Sequence, residues 1–217
     1  MVTPRTNKLL GHLPDDSYER IQPDLKLVSW LTGQELHGPG EPIDKVYFPV
    51  TALVCLSKEL PQGASMDTAL IGPESMVGLR GLVGPSAHRV YVGAAGLAYQ
   101  LPIAVLKQTL LTDLGLRKLC WETADRLSKM MVAEATCSRF HATHQRVAKW
   151  LLMRLDRQVP HAIEATHQTI ANALGVRREA VSIALASMPG VTVRRGSVEV
   201  VDRARLEGAC CDCYFSE

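Results

Sequence analysis

Four side chains near the C-terminal end of this 217-residue chain are spaced for a common task. Arg177, Arg178, Glu179 and Ser182 lie close enough to share one face of a short helix. A guanidinium offers a forked pair of donors to guanine O6 and N7, a carboxylate accepts from the cytosine amino group, and a hydroxyl can do either. Such a face suits the edges of base pairs in a DNA major groove. Just upstream, His167, Gln168 and Thr169 stand at an expected helix N-terminus, where free N–H groups favour a phosphate. Arg194 and Arg195 form a second basic pair, suited to phosphate oxygens that set register and affinity without reading sequence.

Other chemistries find little support. There is no Ser/His/Asp arrangement, no His-Glu-x-x-His, no phosphate-binding glycine loop and no convincing carboxylate pair, so the chain is not expected to be an enzyme. His141-x-x-His144 reads as two surface histidines. Cys55, Cys120 and Cys137 are isolated, and Cys210, Cys211 and Cys213 crowd the tail without a C-x-x-C pair. Adjacent cysteines chelate poorly without further ligands, and nothing in the sequence brings His141, His144, His161 or His167 to them. They are expected to pack as small reduced hydrophobes, with no metal bound. A redox- or metal-responsive role for the tail cysteines is the alternative.

The elements that must position the first group span Thr166 to Leu185. Thr166 is a good N-cap, and Ile170, Ala171 and Leu174 share one helical face. Gly175 suits a left-handed turn between two helices. Val181, Ala184 and Leu185 then face inward and leave the four polar residues outside. Small Ala171 at the crossing, Gly175 at the turn and Val181 as the lock give the layout of a helix-turn-helix. Val191 to Val201 alternates around Arg195-Gly196 and predicts a β-hairpin, which makes the motif a winged one. From Arg139 to Arg205 there are eleven Lys/Arg against five acids, a net +6 in a chain whose total is +2. A basic C-terminal part beside an acidic remainder fits a phosphate-binding module joined to one with another task.

Upstream, Asn7 to Gln22 predicts one or two short helices. Short strand-like runs follow at Leu25–Trp30, Lys45–Phe48, Ala52–Ser57, Asp67–Ile71, Arg89–Ala94 and Leu97–Leu101, separated by Gly/Pro turns. They predict a compact β-barrel or roll. A short helix over Pro102–Leu111 precedes a long one from about Leu114 to Ser138. There, Leu116, Leu119, Cys120, Thr123, Leu127, Met130, Met131 and Glu134 form a stripe read as a dimer seam. In the helix Thr143–Arg157, Val147, Trp150, Leu151 and Leu155 are expected inside and Arg146, Lys149 and Arg157 outside, with Val159-Pro160 ending it. No apolar run reaches membrane-spanning length and the N-terminus lacks a signal peptide's apolar stretch, so a cytoplasmic location and no membrane partner are expected. The expected fold class is α+β: a jelly-roll-like β-roll sensor over residues 1–111, a dimerisation helix over 112–140 and a winged helix-turn-helix over 141–217.

This order of parts resembles the Crp/Fnr superfamily of bacterial transcription regulators over nearly the whole chain. The resemblance is carried by Arg146-Val147-Ala148-Lys149-Trp150-Leu151-Leu152, by Gly175-Val176-Arg177-Arg178-Glu179-Ala180-Val181 and by Pro42-Ile43-Asp44-Lys45-Val46-Tyr47-Phe48. It implies a homodimer on a near-palindromic double-stranded DNA operator, gated by a signal in the β-roll, with RNA polymerase as a further partner. Cyclic-AMP-binding members carry a Gly-Glu pair followed by Arg and a hydroxyl residue. Here Gly78 and Arg89 match, but Leu79 stands for the Glu and Val90 for the hydroxyl. Leucine cannot accept a ribose hydrogen bond, which argues against cyclic AMP. The Fnr branch holds an iron–sulfur cluster on mostly N-terminal cysteines. The first cysteine here is Cys55, which argues against that cofactor too. Arg178 and Glu179 match two base-reading positions of the cyclic-AMP branch and Ile183 replaces the third, so a different operator is expected. The segment between Leu185 and Arg194 is short for the family. A ligand-binding signalling module with weak or no DNA binding is the competing function.

Overall fold

The computed structural model describes residues 2–158 and 162–215. Val159, Pro160 and His161, to which the sequence assigns a helix end and a histidine, lie outside the described residues. The chain divides into two compact units, Met1–Leu56 with Leu70–Ser128, and Ser57–Ala69 with Lys129–Glu217.

The first unit opens with helices α1 (Lys8–Gly11) and α2 (Asp15–Ile21), as the sequence predicts. Asn7 organises this end although it is fully buried: its Oδ1 accepts from the N–H groups of Leu9 and Leu10, and its amide donates to Pro49 O and Ser75 O. All that amide chemistry is internally satisfied, which is what permits its burial. The strands are β1 (Lys26–Trp30), β2 (Glu35–His37), β3 (Lys45–Pro49), β4 (Leu53–Glu59), β5 (Ser65–Ile71), β6 (Arg89–Ala94) and β7 (Gly96–Pro102). They form one sheet in the order β1-β7-β3 and a second in the order β2-β6-β4-β5. β7 is central in its sheet, antiparallel to β1 with Val28 opposite Ala98 and to β3 with Tyr47 opposite Gln100. Only β2 was not expected among them.

After α3 (Ile103–Thr109) comes the long helix α4 (Leu114–Phe140). Its start is set by buried Asp113, whose Oδ1 accepts from Leu116 N–H and from Ser17 Oγ, each at 2.8 Å. Leu116, Leu119 and Cys120 pack with Leu10, Ile21, Phe48, Leu101 and Leu106 in one core. Thr123 is also fully buried. The first half of the expected seam therefore belongs to the chain's own interior. A different face of α4 is left open: Trp121, Ala124, Ser128, Val132 and Ala135 are exposed and follow one another at three- and four-residue steps.

The second unit contains α5 (Thr143–Leu155), β8 (Ala162–Glu164), α6 (His167–Leu174), α7 (Arg178–Ala186), β9 (Val191–Arg194), β10 (Ser197–Val200) and α8 (Arg203–Gly208). The sheet order is β8-β10-β9, so the wing hairpin gains a third strand that the sequence reading lacks. α5 runs through the middle of the core, with Val147, Leu151 and Leu152 against Ile170, Leu174, Val181, Leu185 and Leu206. The expected outward placement of Arg146 and Lys149 is overturned: both are buried, as is Arg154. Each has a specific neighbour. Arg146 donates to Leu174 O at 2.5 Å, Lys149 pairs with Glu134 at 2.9 Å, and the Arg154 guanidinium lies 4.1 Å from the Trp150 ring centroid.

Candidate nucleic-acid interface

The turn between α6 and α7 is a chain of local choices. Thr166 Oγ1 accepts from Thr169 N–H at 3.1 Å and so caps α6. At the other end Gly175 adopts φ 64°, ψ 38°. Val176 N–H donates to Ala171 O and Gly175 N–H to Asn172 O, the paired bonds of a Schellman turn. Arg146 supplies a third contact from below, since its guanidinium satisfies the Leu174 carbonyl at this negative helix end. Ala171 and Val181 are fully buried where the two helices meet. The turn therefore fixes the direction in which α7 points.

α7 presents Arg178, Glu179, Ile183 and Ala186 to the outside, with Arg177 exposed at its N-cap. Ser182 is partly buried and already engaged. Its hydroxyl donates to Arg178 O at 3.1 Å and lies 2.8 Å from His167 Nδ1. A hydroxyl has one proton, so with that proton on the carbonyl the His167 Nδ1 must be the donor of the second bond. The pair ties the start of α6 to the exposed face of α7. Ile183 is 73% exposed, an unusual position for a large aliphatic chain. Sequence reasoning noted it only as a departure; its exposure is what singles it out.

The flanking positions are open. Gln168 and Thr169 are exposed at the start of α6, with Gln168 Nε2 bonded to Asn172 Oδ1 at 2.7 Å. Arg195 lies at the tip of the wing beside Gly196, which takes φ 81°. Arg194 is paired with Glu199 across the hairpin at 2.9 Å and stays 68% exposed. At the base of the wing, Gly190 O accepts from both Val201 N–H and Asp202 N–H. Of the basic residues in this segment, Arg146, Lys149 and Arg154 are spent inside the unit, whereas Arg177, Arg178, Arg194 and Arg195 remain at the surface.

In the first unit, the four effector-pocket candidates take different roles. Gly78 takes φ 91°, and a Cβ there would stand 2.6 Å from Lys45 O, so its glycine has a backbone reason. Leu79 packs on the core, and Val90 is buried. Arg89 pairs with Glu35 at 2.7 Å and lies over the Tyr91 ring, 5.0 Å from its centroid. The nearby His37 is buried and its pKa is lowered, chiefly by desolvation.

Residues 145–209 match the family model described as a Crp-like helix-turn-helix domain. Among solved structures, a putative transcriptional regulator of the Crp/Fnr family from Eubacterium rectale shares the fold at 17% identity, with a TM-score of 0.74 over 93% of this chain and 96% of that one. FixK2 from Bradyrhizobium japonicum is similar at 21% identity, TM-score 0.73, over 86% and 98%. The c-di-GMP-responsive global regulator CLP from Xanthomonas campestris is similar at 15% identity, TM-score 0.69, over 87% and 100%. No curated protein matches by sequence. Among the described residues no helix is long and apolar enough to cross a membrane.

Proposed function

We propose that the chain is a transcription regulator of the Crp/Fnr type, from its Crp-like helix-turn-helix domain and its likeness in fold to such regulators, and that it reads its operator as a homodimer through the exposed face of α7. The observation that carries this reading is the direction of that face: Arg178, Glu179 and Ile183 are exposed on a helix whose angle is locked by the Gly175 turn and by Arg146. Arg177 and Arg178 suit guanine, Glu179 suits the cytosine amino group, and the Ile183 side chain suits a thymine methyl. Ser182 acts beside them mainly by holding His167. The α6 N-terminus, with His167, Gln168 and Thr169, and the wing residues Arg194 and Arg195 hold phosphates.

The open face of α4, from Trp121 to Ala135, is the dimer seam. A row of exposed apolar and small side chains at helical spacing, with Trp121 71% and Val132 63% exposed, is what a second copy would cover. Two-fold symmetry then sets two half-sites about one helical turn apart. A signal in the β-roll sets the separation of the two α7 helices, and that signal is not cyclic AMP. The aliphatic Leu79 and buried Val90 offer neither ribose nor phosphate a hydrogen bond, and Arg89 already has a carboxylate. Cytoplasmic location and contact with RNA polymerase follow from this role.

The test is a titration of a genomically selected DNA fragment with the purified chain at fixed salt, with and without cyclic AMP. Salt-dependent, sequence-selective binding that cyclic AMP leaves unchanged is the expected result. Binding that requires cyclic AMP contradicts the effector part, and equal affinity for every fragment contradicts the regulator.

A further inference from the structure

The tail cysteines, far along the chain from Cys137 and His141, meet them in the fold. Cys137 lies in the last turn of α4 and His141 one turn later, where His141 N–H still donates to Cys137 O at 3.1 Å. Both therefore point the same way. Cys211 and Cys213 flank the start of the 3-10 turn Asp212–Tyr214. The two segments meet within the second unit. Cys137 Sγ lies 3.5 Å from Cys211 Sγ, and Cys213 Sγ lies 3.5 Å from His141 Nδ1. All four donor atoms lie within 4.8 Å of one another.

We propose that Cys137, His141, Cys211 and Cys213 form a tetrahedral site for one zinc-class divalent metal ion. A tetrahedral zinc centre places its ligand sulfurs about 3.8 Å apart and sulfur and nitrogen about 3.6 Å apart, from Zn–S of about 2.3 Å and Zn–N of about 2.0–2.1 Å. The two 3.5 Å separations already sit near those values, so binding needs side-chain adjustment only. A polynuclear iron–sulfur cluster puts its ligands on different irons and needs a wider cage than this one. Four protein donors leave no open position, as in a structural rather than a catalytic zinc site.

A buried ion pair lies beside the four ligands. Three thiolates around a divalent ion leave one negative charge. Lys149, 2% exposed and paired with Glu134, acts electrostatically on Cys137 and Cys213, and at Cys137 the Glu134 carboxylate opposes it. The backbone N–H of Cys213 also donates to Cys211 sulfur. Such surrounding contacts orient and tune first-shell ligands. The tail is held in place independently of any ion. Tyr214 OH donates to Asp156 Oδ2 at 2.8 Å, and Arg203 bridges Tyr214 OH and Asp156. The ligands on the tail are thus presented in advance, and the ion would fasten the last residues of the DNA-binding unit to the end of α4. The step is a displacement of protons: three S–H groups lose theirs to solvent as three metal–sulfur bonds form, with no change of oxidation state.

Cobalt(II) titration of the full-length reduced protein without oxygen tests this, because tetrahedral thiolate-bound cobalt has intense charge-transfer and visible bands. The expected result is one cobalt per chain, displaced by zinc. Cys213→Ser and His141→Ala, both at half-buried positions, should each weaken cobalt binding at least about tenfold while far-UV circular dichroism stays native. Cys210→Ser, beside the cluster but outside the four, should bind as the parent does. Absence of the tetrahedral spectrum in the reduced protein overturns the assignment. So does an unchanged spectrum in Cys213→Ser and His141→Ala, or a loss in Cys210→Ser equal to theirs.

Discussion

Replacing Gly190 by alanine, with Gly196→Ala as its partner, separates two costs that a left-handed glycine can hide. Both residues have positive φ, 75° and 81°. An L-residue pays roughly 1–2 kcal/mol to sit there. Against this, the lost freedom of the unfolded chain returns about 0.4–1 kcal/mol. Around Gly196 a new Cβ meets nothing within 4 Å, so Gly196→Ala should cost only about 1 kcal/mol. At Gly190 the Cβ would stand 2.1 Å from Asp202 O and 3.1 Å from Asp202 C, both backbone atoms. Relief requires moving the segment held by Val201 N–H and Asp202 N–H on Gly190 O. Two such bonds contribute about 0.5–1.5 kcal/mol each, so the total for Gly190→Ala is about 3 kcal/mol. The assay is native-state hydrogen exchange on the full-length chain, followed in peptides covering β9, β10 and α8. Gly190→Ala should cut protection there by about 2 kcal/mol more than Gly196→Ala and should weaken DNA binding by shifting the wing. Equal losses of protection at the two positions would refute the steric argument.

Three further outcomes follow from the same geometry. Arg178→Ala should cost about 1–3 kcal/mol at the operator and relax base preference there; an equal loss on random DNA would leave Arg178 only a phosphate contact. Trp121→Asp with Val132→Asp should yield monomers in analytical ultracentrifugation, since both side chains are exposed on the open face of α4, and a persistent dimer would place the seam elsewhere. Because burial lowers the pKa of His37, the unfolded chain takes up a proton that the folded chain refuses. The first unit should therefore lose stability as pH falls below about 6.5, down to the depressed value of the folded state, and His37→Gln should flatten that part of the profile. An unchanged slope in the variant would show that His37 is not the source.

What the amino-acid pattern reveals depends on how far each partner lies along the chain. Thr166, Gly175 and Val181 act on neighbours a few residues away, so the helix-turn-helix and its cap are legible directly. The same holds for the hairpin around Arg195-Gly196 and for strands long enough to alternate. β2 and β8 have three residues each, too short for a period, and exist because β6 and β10 offer them an edge. Arg146 and Lys149 look like solvated residues because the groups that justify their burial, Leu174 O and Glu134, lie 28 and 15 positions away. The α4 stripe misleads for a related reason: helical spacing shows that a face is apolar, but not whether its own sheet or a second copy covers it. The cysteine cluster is the extreme case, since 74 positions separate Cys137 from Cys211. A Cys-x-x-x-His step at a helix end combined with a distant Cys-x-Cys was the available signal.

The most direct test of the regulator reading is hydroxyl-radical footprinting of a selected operator fragment, combined with the mass of the complex in solution. Two protected half-sites about one helical turn, roughly 34 Å, apart are expected, related by a two-fold axis and occupied by two chains. A single protected patch bound by one chain, or protection spread evenly along the fragment, would contradict it.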